Sequence, residues 1–175
     1  MAAYDPAVAK FATTGKNVKS TWNDKVEREV FRRESNIILF PQFITQKNSQ
    51  YNGMDLQVVD EHQKIQAFIE LDRSGSNYID NWTFVSLLER KVQNVLTAYQ
   101  EAPVLMVYLN NSMTRYVMYL FLPEYLGKYP LQTIDYTKEK LQTIKEERNY
   151  PKHPRDYQHR IDLKHCEYRN VGESI

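Results

Sequence analysis

Residues 54–73, MDLQVVDEHQKIQAFIELDR, constrain the fold more than any other part of this 175-residue chain. Apolar and polar side chains alternate in two runs, 54–60 and 65–72, which is typical of strands that bury one face. The polar residues between the runs are turn-sized, so the segment predicts an antiparallel hairpin. The hairpin is unusual because Asp55, Glu70 and Asp72 stand within its strands.

The predicted register places these acids together. If Asp60 and Ile65 close the hairpin, Asp55 lies opposite Glu70, and Asp72 shares their face because strand side chains alternate. Val59 does not fit the alternation. The face also carries Gln57 and Phe68, whereas the opposite face is a predicted core face, with Leu56, Val58, Ile65, Ala67, Ile69 and Leu71.

Opposed like charges in a sheet are destabilising, so the acids need an explanation. One interpretation is a sheet face open to water. The other is a bound divalent cation, because Mg²⁺ takes oxygen ligands and is commonly held by one or two carboxylates. The spacing of the acids alone leaves both interpretations open.

The remaining chain predicts a mixed α/β protein. A helix is expected from Ser20, with Trp22, Val26 and Val30 as its apolar stripe. Further expected elements are a strand at 35–40, a loop or edge strand at 41–53, a helix over 83–100, strands at 103–109 and 115–122, and a polar helix at 136–149. The predicted organisation is a flexible arm (1–19), one α/β domain (20–149) and an irregular basic and aromatic tail (150–175).

The acids and the element order resemble the PD-(D/E)XK nuclease superfamily. The resemblance rests on Asp55 and the triplet Glu70-Leu71-Asp72, together with the order of elements from Thr21 to about Leu122. It implies a restriction-endonuclease-like mixed sheet of about five strands flanked by helices. It also implies a metal-dependent endonuclease that cleaves nucleic acid, DNA in preference to RNA. The run Glu89-Arg90-Lys91 after a tryptophan-containing loop is similar to phage-type members, which implies a viral source.

The resemblance assigns roles to particular residues. Asp55, Glu70, Asp72 and the Leu71 carbonyl would hold Mg²⁺ or Mn²⁺, and Glu27 on the first helix is a further candidate ligand. The triplet departs from the family pattern because it ends in Asp72 where lysine is usual. Lys91 interrupts the apolar stripe of the following helix and is the candidate replacement. Lys91 could instead extend its amine to water.

Nucleic-acid contacts are expected from cationic side chains near the acids and in the tail. Arginine suits bidentate phosphate contact, and basic residues beside aromatic ones combine phosphate contacts with base stacking. The candidates are Arg73, Arg90, Arg155, Arg160 and Lys164. Each of them is also a normal surface residue. If neither Asp72 nor Lys91 replaces the lysine, the protein is instead an inactive relative that binds nucleic acid or protein.

Composition excludes several other classes. Net charge is +1, so no global field indicates a polyanion partner, and a single cysteine, Cys166, rules out an internal disulfide. The isolated glycines form no phosphate-binding motif, and the histidines near Cys166 match no zinc signature. No run approaches the ~18 apolar residues of a membrane span, and the first residues lack a secretory pattern. A cytoplasmic protein is expected, and a homodimer is left open.

Overall fold

A computed structural model describes residues 24–74, 77–148 and 155–174. The predicted arm at 1–19 and the predicted helix start at Ser20 lie outside these ranges. The helices are α1 (Asp24–Glu34), α2 (Glu89–Tyr99), α3 (Glu124–Lys128) and α4 (Lys138–Arg148). The strands are β1 (Ile44–Lys47), β2 (Leu56–Val59), β3 (Ile65–Arg73), β4 (Phe84–Leu88), β5 (Val104–Leu109), β6 (Arg115–Leu120), β7 (Gln132–Asp135), β8 (Arg155–Asp162) and β9 (Glu167–Asn170).

The main sheet is mixed, which confirms the predicted α/β class. Its six strands run in the order β1-β2-β3-β5-β6-β9. All neighbours are antiparallel except β3 and β5, which are parallel. β3 therefore lies at the centre, between its hairpin partner and the strand that follows α2.

The β2–β3 hairpin has the predicted register over most of its length. Leu56 pairs with Ile69 and Val58 with Ala67, but Val59 then pairs with Ile65, so a bulge breaks the ladder. The bulge explains why Val59 does not fit the alternation, and it corrects the expected closing pair. Asp60 lies in the turn, where its Oδ1 accepts the N–H groups of His62 and Lys64 at 2.9 Å each.

Strands β4, β8 and β7 form a second, antiparallel sheet that the sequence did not predict. Residues 84–88 were expected to be helical but form β4, and the helix begins only at Glu89. The tail was expected to be irregular, but β8 pairs with β4 and β7 in the second sheet and β9 forms an edge of the main sheet. Backbone pairing thus orders a segment whose side chains are largely polar.

The apolar segment 35–40 does not form the expected strand. Ser35–Leu39 continues α1 as a π-helical turn, closed by the Phe40 N–H donating to the Ser35 carbonyl at 2.7 Å. Strand β1 follows, and Asn36 bonds the backbone of Thr45 in both directions. These contacts align β1 beside the turn, so the segment expected as a loop or edge strand is an edge strand.

Apolar side chains cover both faces of the main sheet. On one face, Val26, Val30 and Phe31 of α1 share a core with Ile69 and Leu71. On the other, Phe68 shares a core with Val95 of α2 and Leu87 of β4. Of the acids on this face, Glu70 is buried, whereas Asp55 and Asp72 are half-buried, so the face is only partly open to water. No helix in the described ranges is long and apolar enough to cross a bilayer.

Candidate active site

Asp55 and Glu70 meet at the beginning of β2. The Asp55 N–H donates to the Ile69 carbonyl at 3.1 Å, and Asp55 Oδ2 accepts the Leu71 N–H at 2.9 Å. These two bonds hold the Asp55 carboxylate against the middle of β3. In a strand the N–H and C=O of one residue point to the same side, so the Leu71 carbonyl also points toward Asp55. This arrangement agrees with the predicted register.

Glu70 is buried, with 7% of its surface exposed. The pKa of Glu70 is raised to about 8, first by burial and then by the nearby Asp55 charge, while Lys91 opposes both. Its Oε2 atom is enclosed and has no hydrogen-bond donor among the described residues. A buried carboxyl oxygen without a protein donor is costly, so this atom is a candidate to bind a cation or to carry a proton.

Lys91 reaches the acids from α2. Its Nζ lies 3.3 Å from Glu70 Oε1, and its side chain is 29% exposed. Burial lowers the pKa of Lys91, but the charges of Asp72, Glu70 and Asp55 outweigh burial and keep it above its ordinary value. The amine therefore points to the carboxylates and stays protonated, which is the position proposed for the replacement lysine.

The loop before Asp55 packs against the same helix. Gly53 has a φ of +75°, and a Cβ atom at this position would lie 2.6 Å from Asn94 Nδ2. Only glycine permits both the left-handed backbone and this close approach. The backbone that leads into Asp55 is thus fixed relative to α2, one turn from Lys91.

Asp72 lies farther along the same face of β3. Its Oδ1 accepts the N–H of Arg73 at 2.8 Å, and its charge acts on Lys91. Asp72 also lines a cavity together with Trp82 and Tyr108, neither of which was a predicted site residue. Trp82 lies in the loop before β4, and Tyr108 is concealed within the apolar run of β5.

A cation would have limited ligands here. In the described part of the chain, no three His, Cys, Asp or Glu side chains are grouped to hold a metal ion. Asp55 and Glu70 with the Leu71 carbonyl nevertheless fit Mg²⁺, which is commonly held by one or two carboxylates plus substrate phosphate. The unpartnered Glu70 Oε2 supports this fit.

Glu27 and Arg73 do not join the acids. Arg73 points to the opposite face of β3, where its Nε lies 3.4 Å from Glu27 Oε1 and its side chain is fully buried. Its Nη1 also approaches Met113 Sδ at 3.9 Å. Glu27 and Arg73 thus form a buried ion pair between α1 and the sheet, rather than the expected cation ligand and phosphate contact.

The other cationic candidates lie on α2 or near the second sheet. Arg90 is exposed beside Lys91, and Lys164 is exposed after β8. Arg155 pairs with Asp135 at 2.7 Å. The Arg160 guanidinium lies 4.6 Å from the centre of the Phe84 ring. Since Phe84 lines the cavity beside Asp72, Arg160 is the tail residue that the fold brings toward the site.

The histidines and Cys166 form a structural cluster. His165 Nε2 lies 2.7 Å from the Tyr129 hydroxyl, and His159 Nδ1 lies 2.6 Å from the Tyr129 carbonyl. Burial raises the pKa of Cys166 to about 12. A thiol with such a pKa is protonated at neutral pH and is a poor nucleophile. His153 lies outside the described residues.

Compared with protein-family models, curated proteins and solved structures, the chain matches none of them. The site must therefore be interpreted from its own geometry.

Proposed function

We propose that the protein is a metal-dependent nuclease that hydrolyses phosphodiester bonds in nucleic acid, DNA in preference to RNA. The contact between Lys91 and Glu70 carries this proposal. Lys91 supplies a positive charge beside the acids, and this charge is needed because the triplet in β3 ends in Asp72 instead of lysine. A buried acid pair next to a protonated lysine is an expensive arrangement for stability alone.

Each residue has a chemical task in the proposed reaction. Asp55, Glu70 and the Leu71 carbonyl would hold Mg²⁺ or Mn²⁺. When bound there, such a cation would supply an activated water and would neutralise charge on phosphate oxygens. Lys91 would stabilise the negative charge that develops on the phosphoryl oxygens, because a fixed cation in a site with little water acts strongly. Glu70 must lose its proton before it can bind a cation.

A second candidate is a non-catalytic module that binds nucleic acid or protein. The contact between Lys91 and Glu70 also favours this binding module, because the lysine charge stabilises one Glu70 oxygen without a metal. The grouping of only two carboxylates in the described residues also agrees with it. The two candidates differ in whether a divalent cation changes the protein.

The deciding experiment is a cleavage assay. The protein is incubated with plasmid, linear duplex DNA, single-stranded DNA and RNA, with Mg²⁺, Mn²⁺ or EDTA. We expect cleavage only with the cations, and a loss of about a hundredfold or more in D55N and E70Q. Matched controls are D156N, a strand aspartate that, like Asp55, accepts a backbone N–H, and E61Q, an exposed glutamate of the same hairpin.

The result can contradict the proposal in two ways. Absence of cleavage with every substrate and cation indicates the binding module. Cleavage that persists at full rate in D55N and E70Q places the active site elsewhere.

A further inference from the structure

A cavity of about 410 Å³ lies beside the carboxylate site. It is open to solvent and is lined by the end of β3, by residues 81–86 and by Tyr108 of β5. Its volume is within the range of clefts that bind small organic groups. The cavity thus places a pocket of ligand size next to the proposed reaction site.

Acidic and aromatic groups line this cavity. Asp72 and Tyr108 are register partners on neighbouring parallel strands, so their side chains share a face. The Tyr108 hydroxyl donates to the Ser86 carbonyl at 3.0 Å, which occupies its polar end, and its ring stacks on that of Tyr119. Trp82 and Phe84 are half-buried and add two more aromatic surfaces.

The charge at the cavity selects among ligands. A carboxylate repels phosphate, and the guanidinium of Arg73 points to the other face of β3. A suitable ligand is flat, offers aromatic surface for stacking, and carries an N–H donor for Asp72. A nucleobase with an exocyclic amino group meets all three requirements, because acidic side chains accept from such groups and aromatic side chains stack on bases.

We propose that this cavity binds one base of the nucleic-acid substrate, with Asp72 accepting a hydrogen bond from the amino group of cytosine or adenine. The substrate class rests on the proposed function. Asp72 then reads the base, instead of completing the cation site or replacing the family lysine. Arg160, whose guanidinium lies over the Phe84 ring, adds positive charge beside the aromatic lining.

The test uses the emission of Trp82, because the chain has only two tryptophans and W22F leaves Trp82 alone. Short single-stranded oligonucleotides of dC, dA or dT are titrated in EDTA, which prevents metal-dependent cleavage. We expect dC and dA to change the emission and to bind about fivefold or more tightly than dT, which lacks an amino group. D72N should remove most of this preference, because an amide can also donate to a thymine carbonyl.

D156N is the matched control and should keep the preference. Circular dichroism and melting temperature establish that D72N is folded. The three oligonucleotides are also compared on the W22F protein, which tests the proposal with Asp72 unchanged. Equal binding of the three, an unchanged Trp82 emission, or full preference in folded D72N would overturn it.

Cleavage measured separately distinguishes this proposal from the proposed function. A base-selective response without cleavage supports the cavity and contradicts the nuclease. Cleavage without a Trp82 response supports the nuclease and contradicts the cavity.

Discussion

The amine of Lys91 lies 3.3 Å from Glu70 Oε1, and this contact joins α2 to the central strand of the main sheet. The helix begins directly after β4, so the second sheet fixes where the lysine enters. The acids come from the β2–β3 hairpin, and the lysine comes from a later segment of the chain. The candidate site therefore depends on how the β2–β3 hairpin packs against the later β4–α2 segment.

Replacing Lys91 tests its proposed catalytic role. We expect K91M to lower kcat by about a hundredfold or more, because loss of one charge-stabilising group commonly has this effect. KM should change much less if the amine acts mainly on the transition state. K91R should retain more activity than K91M. K138M removes an exposed lysine of α4 and should resemble the wild type; equal losses in both methionine variants would contradict a specific role for Lys91.

Divalent cations should stabilise the protein in a pH-dependent way. Because burial raises the pKa of Glu70 to about 8, cation and proton compete for it, and binding should strengthen as pH rises. Mn²⁺ should therefore raise the melting temperature more at pH 8.5 than at pH 6.5. Saturation at about a hundredfold above Kd corresponds to about 2.7 kcal/mol.

E61Q should show the same shift with Mn²⁺ as the wild type, whereas E70Q should show little. A shift that is independent of pH and equal in E70Q would show that Mn²⁺ binds elsewhere.

Stability without metal should also depend on Glu70. Its pKa rises from 4.5 in the unfolded chain to about 8 in the folded protein, so the folded state holds the extra proton between these values. The free energy of unfolding should fall as pH rises from about 4.5 to 8, by an amount on the order of a few kcal/mol. The raised pKa of Lys91 acts only at higher pH, outside this window.

Urea denaturation in EDTA at pH 5.5 and 8.5 measures this effect. E70Q lacks the carboxyl group at position 70, so its free energy of unfolding should fall less over that pH interval than that of the wild type. Parallel pH profiles of the two proteins would contradict a strongly raised pKa for Glu70.

Gly53 should resist substitution more than another exposed glycine. In G53A the new methyl group would meet Asn94 Nδ2 at 2.6 Å and the backbone would keep a positive φ. We expect a loss of about 1–2 kcal/mol in the free energy of unfolding, measured by denaturant titration. G127A is the control, since nothing lies within 4 Å of its Cβ position. A change in G53A no larger than that in G127A would contradict the close approach of the loop to α2.

The hairpin was predictable because alternation fixes both its faces and its register. Ile69 and Leu71 had to face one core and Glu70 the other side, whatever covered them. The sequence shows a break in alternation at Val59, but it does not show where the bulge shifts the pairing of the two strands. What the sequence concealed was the cover on the acidic face, since α2 and β4 pack there from a distance in the chain.

Other elements were predicted wrongly because their apolar spacing suits both a helix and a strand. Residues 84–88 have apolar spacings that also suit a helix, so β4 merged with α2 in the prediction. The apolar residues 37–39 suit a strand, but Ser35–Leu39 continues α1 as a π-helical turn in which Asn36 binds the backbone of β1. Arg73 was expected to contact phosphate because it follows Asp72 in the sequence. Strand alternation already placed the two side chains on opposite faces of β3.

The placement of β8 has a consequence for how the protein reaches its folded state. β8 is the middle strand of the second sheet, so β4 and β7 have no partner in that sheet until residues 155–162 arrive. β4 precedes the helix that carries Lys91, and its pairing spans a long sequence separation, which slows folding. The hairpin that carries the acids can pair early, but Lys91 reaches its position only when the chain has been made through Asp162. Assembly of the site thereby waits for a strand that lies far beyond Lys91 in the chain.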